Sequence, residues 1–134
     1  MTLKHRIKQH DNWATPKELL TDLEKEFGKM FDPCPINPKF DGLNIDWKET
    51  NFINPPYSRK LKEAFITKSF EESKKGKTCV LLLPVSTSTK IFHEIIYPNA
   101  EIRFIKGRLK FNNMKTSGQM DSMLVIFNRR KEWR

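Results

Sequence analysis

The apolar run Thr78-Cys79-Val80-Leu81-Leu82-Leu83, which is stopped by Pro84, constrains the fold of this chain more than any other stretch. None of its residues is charged, and such a run is typical of a strand that is covered on both faces. A strand of this kind needs helices above and below it, which is the layering of α/β proteins. The run therefore predicts a central strand of an α/β sheet.

Further helices and strands alternate along the chain. Apolar periodicity predicts helices at residues 15–27, 59–75 and 86–96, and short apolar runs predict strands at residues 30–32, 51–53, 101–105, 109–111 and 123–127. One more short strand is predicted within residues 44–47. This alternation predicts a mostly parallel sheet, and the absence of a helix between the last two strands predicts a C-terminal antiparallel hairpin.

Local signals set the ends of the predicted helices. Thr15 is expected to cap the first helix, with Pro16 at its first position and Glu18 completing a capping box. Gly28 predicts the end of this helix. Pro98 is expected to close the third helix.

Length and charge limit the class of protein. The 134 residues suffice for one domain, so we expect a single domain over residues 1–134, with a basic arm at residues 1–10 and a basic tail at residues 129–134. Basic residues outnumber acidic residues by 25 to 16, which gives a formal net charge of +9. Such a balance favours a polyanionic partner, most often nucleic acid.

Neither the cysteines, Cys34 and Cys79, nor the three histidines have the spacing of metal ligands. The sequence therefore predicts neither a disulfide framework nor a metal site. No apolar run approaches the ~20 residues that span a membrane, and the polar residues 1–10 lack the apolar centre of a signal peptide. We expect a cytoplasmic protein without a membrane partner.

Polar and proline-rich segments follow three of the predicted strands: Asp32-Pro33-Cys34, Asn54-Pro55-Pro56-Tyr57 and the hydroxyl-rich residues 86–89. Because the carboxyl ends of parallel strands meet at one edge of a sheet, these segments can converge on one ligand crevice. Each segment also has a structural alternative. Asp32 suits a turn before proline, residues 54–57 suit an ordinary proline-rich turn, and residues 86–89 suit a helix N-cap cluster.

The Asn54-Pro55-Pro56-Tyr57 segment has the chemistry of a site for a flat heterocycle. Its two prolines stiffen the turn and leave the carbonyls able to accept hydrogen bonds. The Asn54 amide can accept and donate, and the Tyr57 ring offers a face for stacking. A rigid pair of acceptors beside an aromatic face suits an exocyclic amine on a heterocyclic base.

A series of motifs runs in order from residue 11 to about residue 127. They are Trp13-x-Thr15-Pro16, Asp32-Pro33-Cys34, Asp41-Gly42-Leu43 with Trp47, Asn54-Pro55-Pro56-Tyr57-Ser58, Leu82-Leu83-Pro84 followed by Thr87-Ser88-Thr89-Lys90-x-Phe92-His93, Arg103-Phe104-x-Lys106-Gly107-Arg108-Leu109-Lys110-Phe111, and Ser122-Met123. In this order the motifs resemble those of the phage-type (Dam-like) DNA N6-adenine methyltransferases. The Asn-Pro-Pro-Tyr tetrapeptide alone is less specific, because N4-cytosine and glutamine N-methyltransferases use similar ones.

The resemblance implies a Rossmann-like methyltransferase fold and the transfer of a methyl group from S-adenosylmethionine to N6 of adenine in DNA. It gives catalytic roles to Asn54, Pro55, Pro56 and Tyr57: the Asn54 amide and the Pro55 carbonyl accept from N6–H, and Tyr57 stacks on a base flipped out of the duplex. The cofactor-binding residues implied in the same way are Trp13, Thr15, Pro16, Asp32, Pro33 and Cys34. Asp46 is a further candidate for the ribose or adenine of the cofactor, with a solvated loop carboxylate as the alternative.

Basic residues beside aromatic ones predict the surface that contacts DNA: Lys106, Arg108, Lys110 and Phe111. The alternative for this stripe is a solvated edge strand. Residues 112–121 form the one loop long enough to help read bases, so either sequence specificity is lax or a homodimer adds contacts. The rival functions are a non-catalytic nucleic-acid-binding domain and an N4-cytosine or RNA methyltransferase. For a phage or prophage protein, the compartment would be the cytoplasm of a bacterial host.

Overall fold

The computed structural model describes residues 14–109 and 120–128. Its helices and strands are α1 (Lys17–Phe27), β1 (Thr50–Ile53), α2 (Arg59–Lys74), β2 (Thr78–Pro84), α3 (residues 90–99), β3 (Glu101–Phe104) and β4 (Ser122–Asn128). The strands form one sheet in the order β1-β2-β4-β3. The predicted basic arm, basic tail and most of the 112–121 loop lie outside the described residues, as do Trp13, Lys110 and Phe111.

Strand β2 lies at the centre of the sheet, and all seven of its residues are buried. Successive side chains point to opposite faces, so Leu81 and Leu83 pack towards α2 and α3, while Val80 and Leu82 pack towards α1. The prediction of a strand covered on both faces is therefore confirmed. Pro84 is the last residue of the strand, so its missing N–H interrupts no hydrogen bond in the interior of the sheet.

The sheet is mixed, and the prediction of a mostly parallel sheet is wrong. β1 pairs parallel with β2, but β4 lies between β2 and β3 and is antiparallel to both. β4 thus runs opposite to both of its neighbours and fills the position between β2 and β3. The predicted antiparallel pairing of the last two strands is confirmed, but the partner of β4 is β3 and not the predicted strand at residues 109–111, of which Leu109 lies in no strand and the rest is outside the described residues.

Two further predicted strands are also absent from the structure as regular elements. Around residues 30–32 the contact with the sheet is a single parallel bridge between Phe31 and Asn51, outside β1. No strand forms within residues 44–47, where the chain instead follows the 3-10 turn Gly42–Asn44. Asp41 caps this turn by accepting a hydrogen bond from the Leu43 N–H, which favours the turn over extended backbone.

Helix α1 ends as predicted but starts differently. Gly28 has φ of 84° and donates its N–H to the Glu24 carbonyl, as a helix-ending glycine does. The predicted capping box is wrong, because Pro16 occupies the N-cap position and no side chain caps the helix. Thr15 is used elsewhere, in a contact described below.

An ion-pair cluster fixes the C-terminal end of α1 to the edge strand β3. The Arg103 guanidinium donates two hydrogen bonds of 2.7 Å to the Glu26 carboxylate and one of 2.6 Å to Glu101. Paired bonds of this geometry are stronger than single surface ion pairs. Arg103 therefore connects helix and sheet.

Helix α3 begins and ends later than predicted. Thr89 accepts a hydrogen bond from the Phe92 N–H and donates to the Ser86 carbonyl, so residues 86–88 form a turn before the helix. Pro98 lies inside the helix, after the π-helical turn Phe92–Ile96 in which Tyr97 donates to the Phe92 carbonyl. This wider turn shifts the helical hydrogen-bond register just before Pro98, which has no N–H to donate.

Candidate active site

The carboxyl edge of the sheet collects the polar segments that follow its strands. Asp32 follows the Phe31 bridge, Asn54 follows β1, and residues 85–89 follow β2. β3 runs in the same direction as β2, because both are antiparallel to β4, so residues 105–108 leave the sheet at this edge too. The predicted convergence of strand ends is thus present, with a fourth segment added by β3.

Asn54 is held in place where β1 reaches this edge. Its side chain is 8% exposed, and its Nδ2 donates a 3.0 Å hydrogen bond to Oγ1 of Thr15. The next two residues, Pro55 and Pro56, are buried, which fixes the turn that carries Asn54. With Nδ2 directed at Thr15, the amide oxygen Oδ1 has a fixed direction as an acceptor.

Tyr57 and Ser58 complete the turn before α2 begins. Tyr57 is half-buried, and desolvation raises the pKa of its phenol to about 12, so the hydroxyl stays protonated near neutral pH. Ser58 occupies the N-cap position of α2 without capping it. Its Oγ is buried and has no hydrogen-bond partner among the described residues.

The Asp32-Pro33-Cys34 segment presents a carboxylate held by the backbone. The Cys34 N–H donates a 2.8 Å hydrogen bond to Oδ1 of Asp32. Asp32 is solvent-exposed by surface area, yet the protein atoms around its carboxyl desolvate it enough to raise its pKa to about 6, against the opposing effect of that hydrogen bond. The Cys34 side chain is in the core, where desolvation and the nearby Asp32 charge both raise the pKa of the thiol.

This raised pKa predicts that Asp32→Asn stabilises the protein at neutral pH. Folding favours the protonated carboxyl, so the native chain loses stability as the pH rises from 3.8 to about 6 and keeps this penalty above that range. The variant, which still accepts from the Cys34 N–H, should melt higher than the native chain at about pH 7.5 and equally at about pH 3 or below. Thermal unfolding followed by circular dichroism measures both values.

Asp22→Asn, on the exposed side of α1, is the matched control for removing one negative charge from a basic protein. A stabilisation by Asp32→Asn that persists unchanged at acid pH, or that Asp22→Asn reproduces, would contradict the burial of the Asp32 charge.

A buried scaffold positions the Asp32 segment, and sequence reasoning missed most of it. The Gly42 backbone packs directly on the Pro33 carbonyl, so that a Cβ at residue 42 would lie 1.8 Å from that oxygen. The Gly42 carbonyl accepts a 2.8 Å bond from the indole N–H of Trp47, whose ring stacks on Phe65 of α2. α2 thereby fixes the loop that supports Asp32.

The far end of this scaffold is a buried carboxylate. Glu72 is 3% exposed and binds Lys77 at 2.6 Å and Lys75 at 2.8 Å, and it accepts from the Trp47 N–H. Desolvation opposes its charge, but the bonds from the two lysines outweigh it and lower its pKa to about 2. The signal was readable in the sequence, because Glu72 is seven residues after Phe65 and so falls on the same buried face of α2.

Other predicted site residues lie apart from this centre. Asp46 is exposed and lies near Lys75 at the C-terminal end of α2. Lys106 and Arg108 are exposed at the carboxyl edge, in a turn after β3, and Arg108 lies 3.6 Å from Asp121.

Within residues 14–109 and 120–128, no group of three or more histidine, cysteine or acidic side chains could hold a metal ion. In the same part of the chain no helix has the length and apolar character needed to cross a membrane.

Fold and site together define a mixed α/β protein with a polar ligand site at the carboxyl edge of its sheet. A family model described as DNA N-6-adenine-methyltransferase (Dam) matches residues 3–133 of this chain. The chain therefore belongs to the DNA N-6-adenine-methyltransferase (Dam) family.

Two curated relatives carry the same description. The DNA N-6-adenine-methyltransferase of Haemophilus phage HP1 is 32% identical over 149 aligned positions, which cover 95% of this chain and 85% of the relative. That of Escherichia phage T1 is 30% identical over 112 positions, covering 74% of this chain and 46% of the relative. The chain thus matches most of the first relative and about half of the second.

Proposed function

We propose that this protein is an adenine-specific DNA methyltransferase that transfers a methyl group from S-adenosylmethionine to N6 of adenine. The observation that carries the proposal is the buried Asn54 amide, oriented by Thr15 on a turn fixed by two prolines. The family membership of nearly the whole chain supports the same reaction. We further propose that residues 1–134 form one Rossmann-like methyltransferase domain.

The turn that carries Asn54 suits the exocyclic amine of adenine. N6 is a poor nucleophile because its lone pair is delocalised into the ring. Oδ1 of Asn54 and the Pro55 carbonyl would accept hydrogen bonds from the two N–H groups of this amine. These bonds would favour the pyramidal, more nucleophilic amine of the transition state. The half-buried Tyr57 ring would stack on the base after it leaves the duplex.

The residues beside this turn fit the cofactor chemically. S-adenosylmethionine supplies, when bound, an electrophilic methyl group on a cationic sulfonium. Asp32 would be ionised most readily beside a cationic or hydroxyl-bearing ligand, since burial alone disfavours its charge. Thr15, Pro16 and Pro33, with the N–H of Cys34, would shape the rest of this site, and Trp13 is proposed with them.

No side chain of the site needs to act as a covalent nucleophile. The Cys34 thiol is buried and its pKa is raised, so it is a poor source of thiolate. The amide and carbonyl acceptors are too weakly basic to retain the proton that N6 loses, which passes to solvent. The contribution of the protein is alignment of amine and methyl donor, which can lower a barrier by ~7–11 kcal/mol.

The DNA partner is proposed to contact the exposed Lys106 and Arg108, together with Lys110 and Phe111. A homodimer that adds DNA contacts stays a prediction, as does the cytoplasm of a bacterial host. Light scattering of the protein bound to DNA measures whether it is a monomer or a homodimer.

The test of the proposed function is methyl transfer from labelled S-adenosylmethionine to unmethylated duplex DNA, followed by nucleoside analysis. We expect label in N6-methyladenine. Label in cytosine would keep the methyltransferase reaction and overturn the substrate base. Label only in RNA would overturn DNA as the substrate, and tight cofactor binding without transfer would favour a non-catalytic domain.

A further inference from the structure

A cavity of about 420 Å³ lies between α2 and α3 at the carboxyl edge of the sheet, and none of residues 54–57 lines it. Leu83 and Met123 contribute apolar side chains to it. The register pairs Ile53, the last residue of β1, with Leu81, so Leu83 lies two residues further along β2 on the side of the Asn54 turn, and neighbouring strands lie ~4.8 Å apart. The cavity is therefore adjacent to the turn that carries Asn54.

The walls of the cavity are basic and rich in hydroxyls. Arg59, Lys62 and Glu63 of α2 form one wall, and Ser86, Ser88, Thr89 and Lys90 form the other. The lining therefore holds three basic side chains and one carboxylate. That carboxylate, Glu63, lies 3.3 Å from Arg59 and pairs with it. The ammonium groups of Lys62 and Lys90 have no carboxylate within ion-pair distance in the described parts of the chain, which leaves an excess of positive charge across the opening.

Lys62 is partly buried in this wall. Desolvation lowers the pKa of its ammonium, with the Arg59 charge acting in the same direction and Glu63 opposing it. An oxyanion bound beside Lys62 would offset the lost hydration. The first turn of α2 adds its N-terminal partial positive charge next to Arg59.

We infer that this cavity binds a phosphodiester of the substrate strand next to the target adenine, with Lys62 and Lys90 as its cationic contacts. The inference rests on the proposed function and adds a second anchor beside the turn that holds the base. A strand fixed by a phosphate one step from the flipped nucleotide keeps N6 aligned with Asn54, because backbone contacts set the register of the nucleic acid.

The carboxylate of the cofactor is the other source of an oxyanion, and the position of the cavity favours the phosphodiester. α2 uses one face, through Phe65 and Glu72, to hold the loop that supports Asp32. Arg59 and Glu63 project from a different face, and Lys62 lies between the two faces, since helical residues advance by about 100° each. The cavity and the Asp32 segment therefore contact different sides of α2.

Titration of the full-length protein with a fluorescent oligonucleotide duplex at several salt concentrations tests this inference. For Lys62→Gln, and separately for Lys90→Gln, we expect the salt slope to fall by about 0.9 and binding to weaken about eightfold at about 0.1 M salt. S-adenosylmethionine binding, measured by calorimetry, should be unchanged. Lys60→Gln is the matched control, because Lys60 is exposed on the same turn of α2 and does not line the cavity.

Equal effects of Lys60→Gln and Lys62→Gln, or an unchanged salt slope for both cavity variants, would overturn the inference. Weaker cofactor binding with unchanged DNA binding would assign the cavity to the cofactor carboxylate and overturn it as well. The native chain is assayed for methyl transfer in parallel, so that failure of the proposed function is seen separately. Thermal melts show whether each variant is folded at the temperature of the titration.

Discussion

Asn54→Ala should lower the turnover number for methyl transfer by about 10²–10³, the typical effect of removing one oriented hydrogen-bonding group from a transition state. The physical reason is the loss of Oδ1, the proposed acceptor for the reacting amine. Thr15 also loses the 3.0 Å hydrogen bond that Asn54 donates to it, so the free energy of unfolding of the variant should fall by about 1 kcal/mol. Single-turnover transfer of labelled methyl groups to duplex DNA measures the rate.

Two comparisons separate chemistry from folding in this experiment. Asn99→Ala removes an exposed amide that bonds the Ile95 carbonyl at the end of α3, and it should keep native activity. Binding of S-adenosylmethionine to Asn54→Ala, measured by calorimetry, should stay within about threefold of native, because the lost contact acts on the amine of the base. Full turnover by Asn54→Ala would remove Asn54 from the mechanism.

Gly42→Ala should have a large effect although residue 42 lies outside residues 54–57. The new Cβ would lie 1.8 Å from the Pro33 carbonyl oxygen and 2.9 Å from its carbon, so backbone must move. Forcing extra atoms into a packed site costs ~1–3 kcal/mol or more. The displaced segment carries Asp32, and a shift of about 1 Å in such a group can reduce catalysis about 10²-fold.

The measurement is S-adenosylmethionine binding and methyl transfer at a temperature where the variant is folded, as verified by circular dichroism. Gly76→Ala is the control: φ is +97° there, so alanine is strained, but no atom lies within 4 Å of the new Cβ. It should lower the melting temperature and leave cofactor affinity unchanged. If Gly42→Ala binds the cofactor normally, the scaffold through Pro33 does not control the cofactor site.

Local sequence signals predicted the elements whose burial is nearly complete. The uncharged run at residues 78–83 became β2, and the strand and helix around residues 54–57 became β1 and α2 within one residue of the predicted bounds. These elements were predictable because burial on both faces, or on one helical face, leaves its period in the sequence. The helix ends at Gly28 and Gly76 were predictable because both residues have a positive φ, which glycine adopts most readily.

The antiparallel direction of β4 was predicted, but its position between β2 and β3 was not. The apolar pattern of β4 indicates only that the strand is buried, and its pairing with β2 as well as β3 is decided by packing. The start of α1 failed for a related reason. Thr15 has the side chain of a cap, but Asn54, 39 residues away, takes its hydroxyl as a partner.

The sequence by itself determined which residues are proposed to carry the chemistry of the site, since the amide, prolines and aromatic ring of residues 54–57 are neighbours along the chain. It also determined that they follow a buried strand. Only the tertiary structure decided how they are held: Thr15 orients Asn54, and Trp47, Gly42 and Glu72 support the Asp32 segment through buried hydrogen bonds. Such contacts join residues far apart in sequence, and their partners are selected by packing rather than by any local pattern.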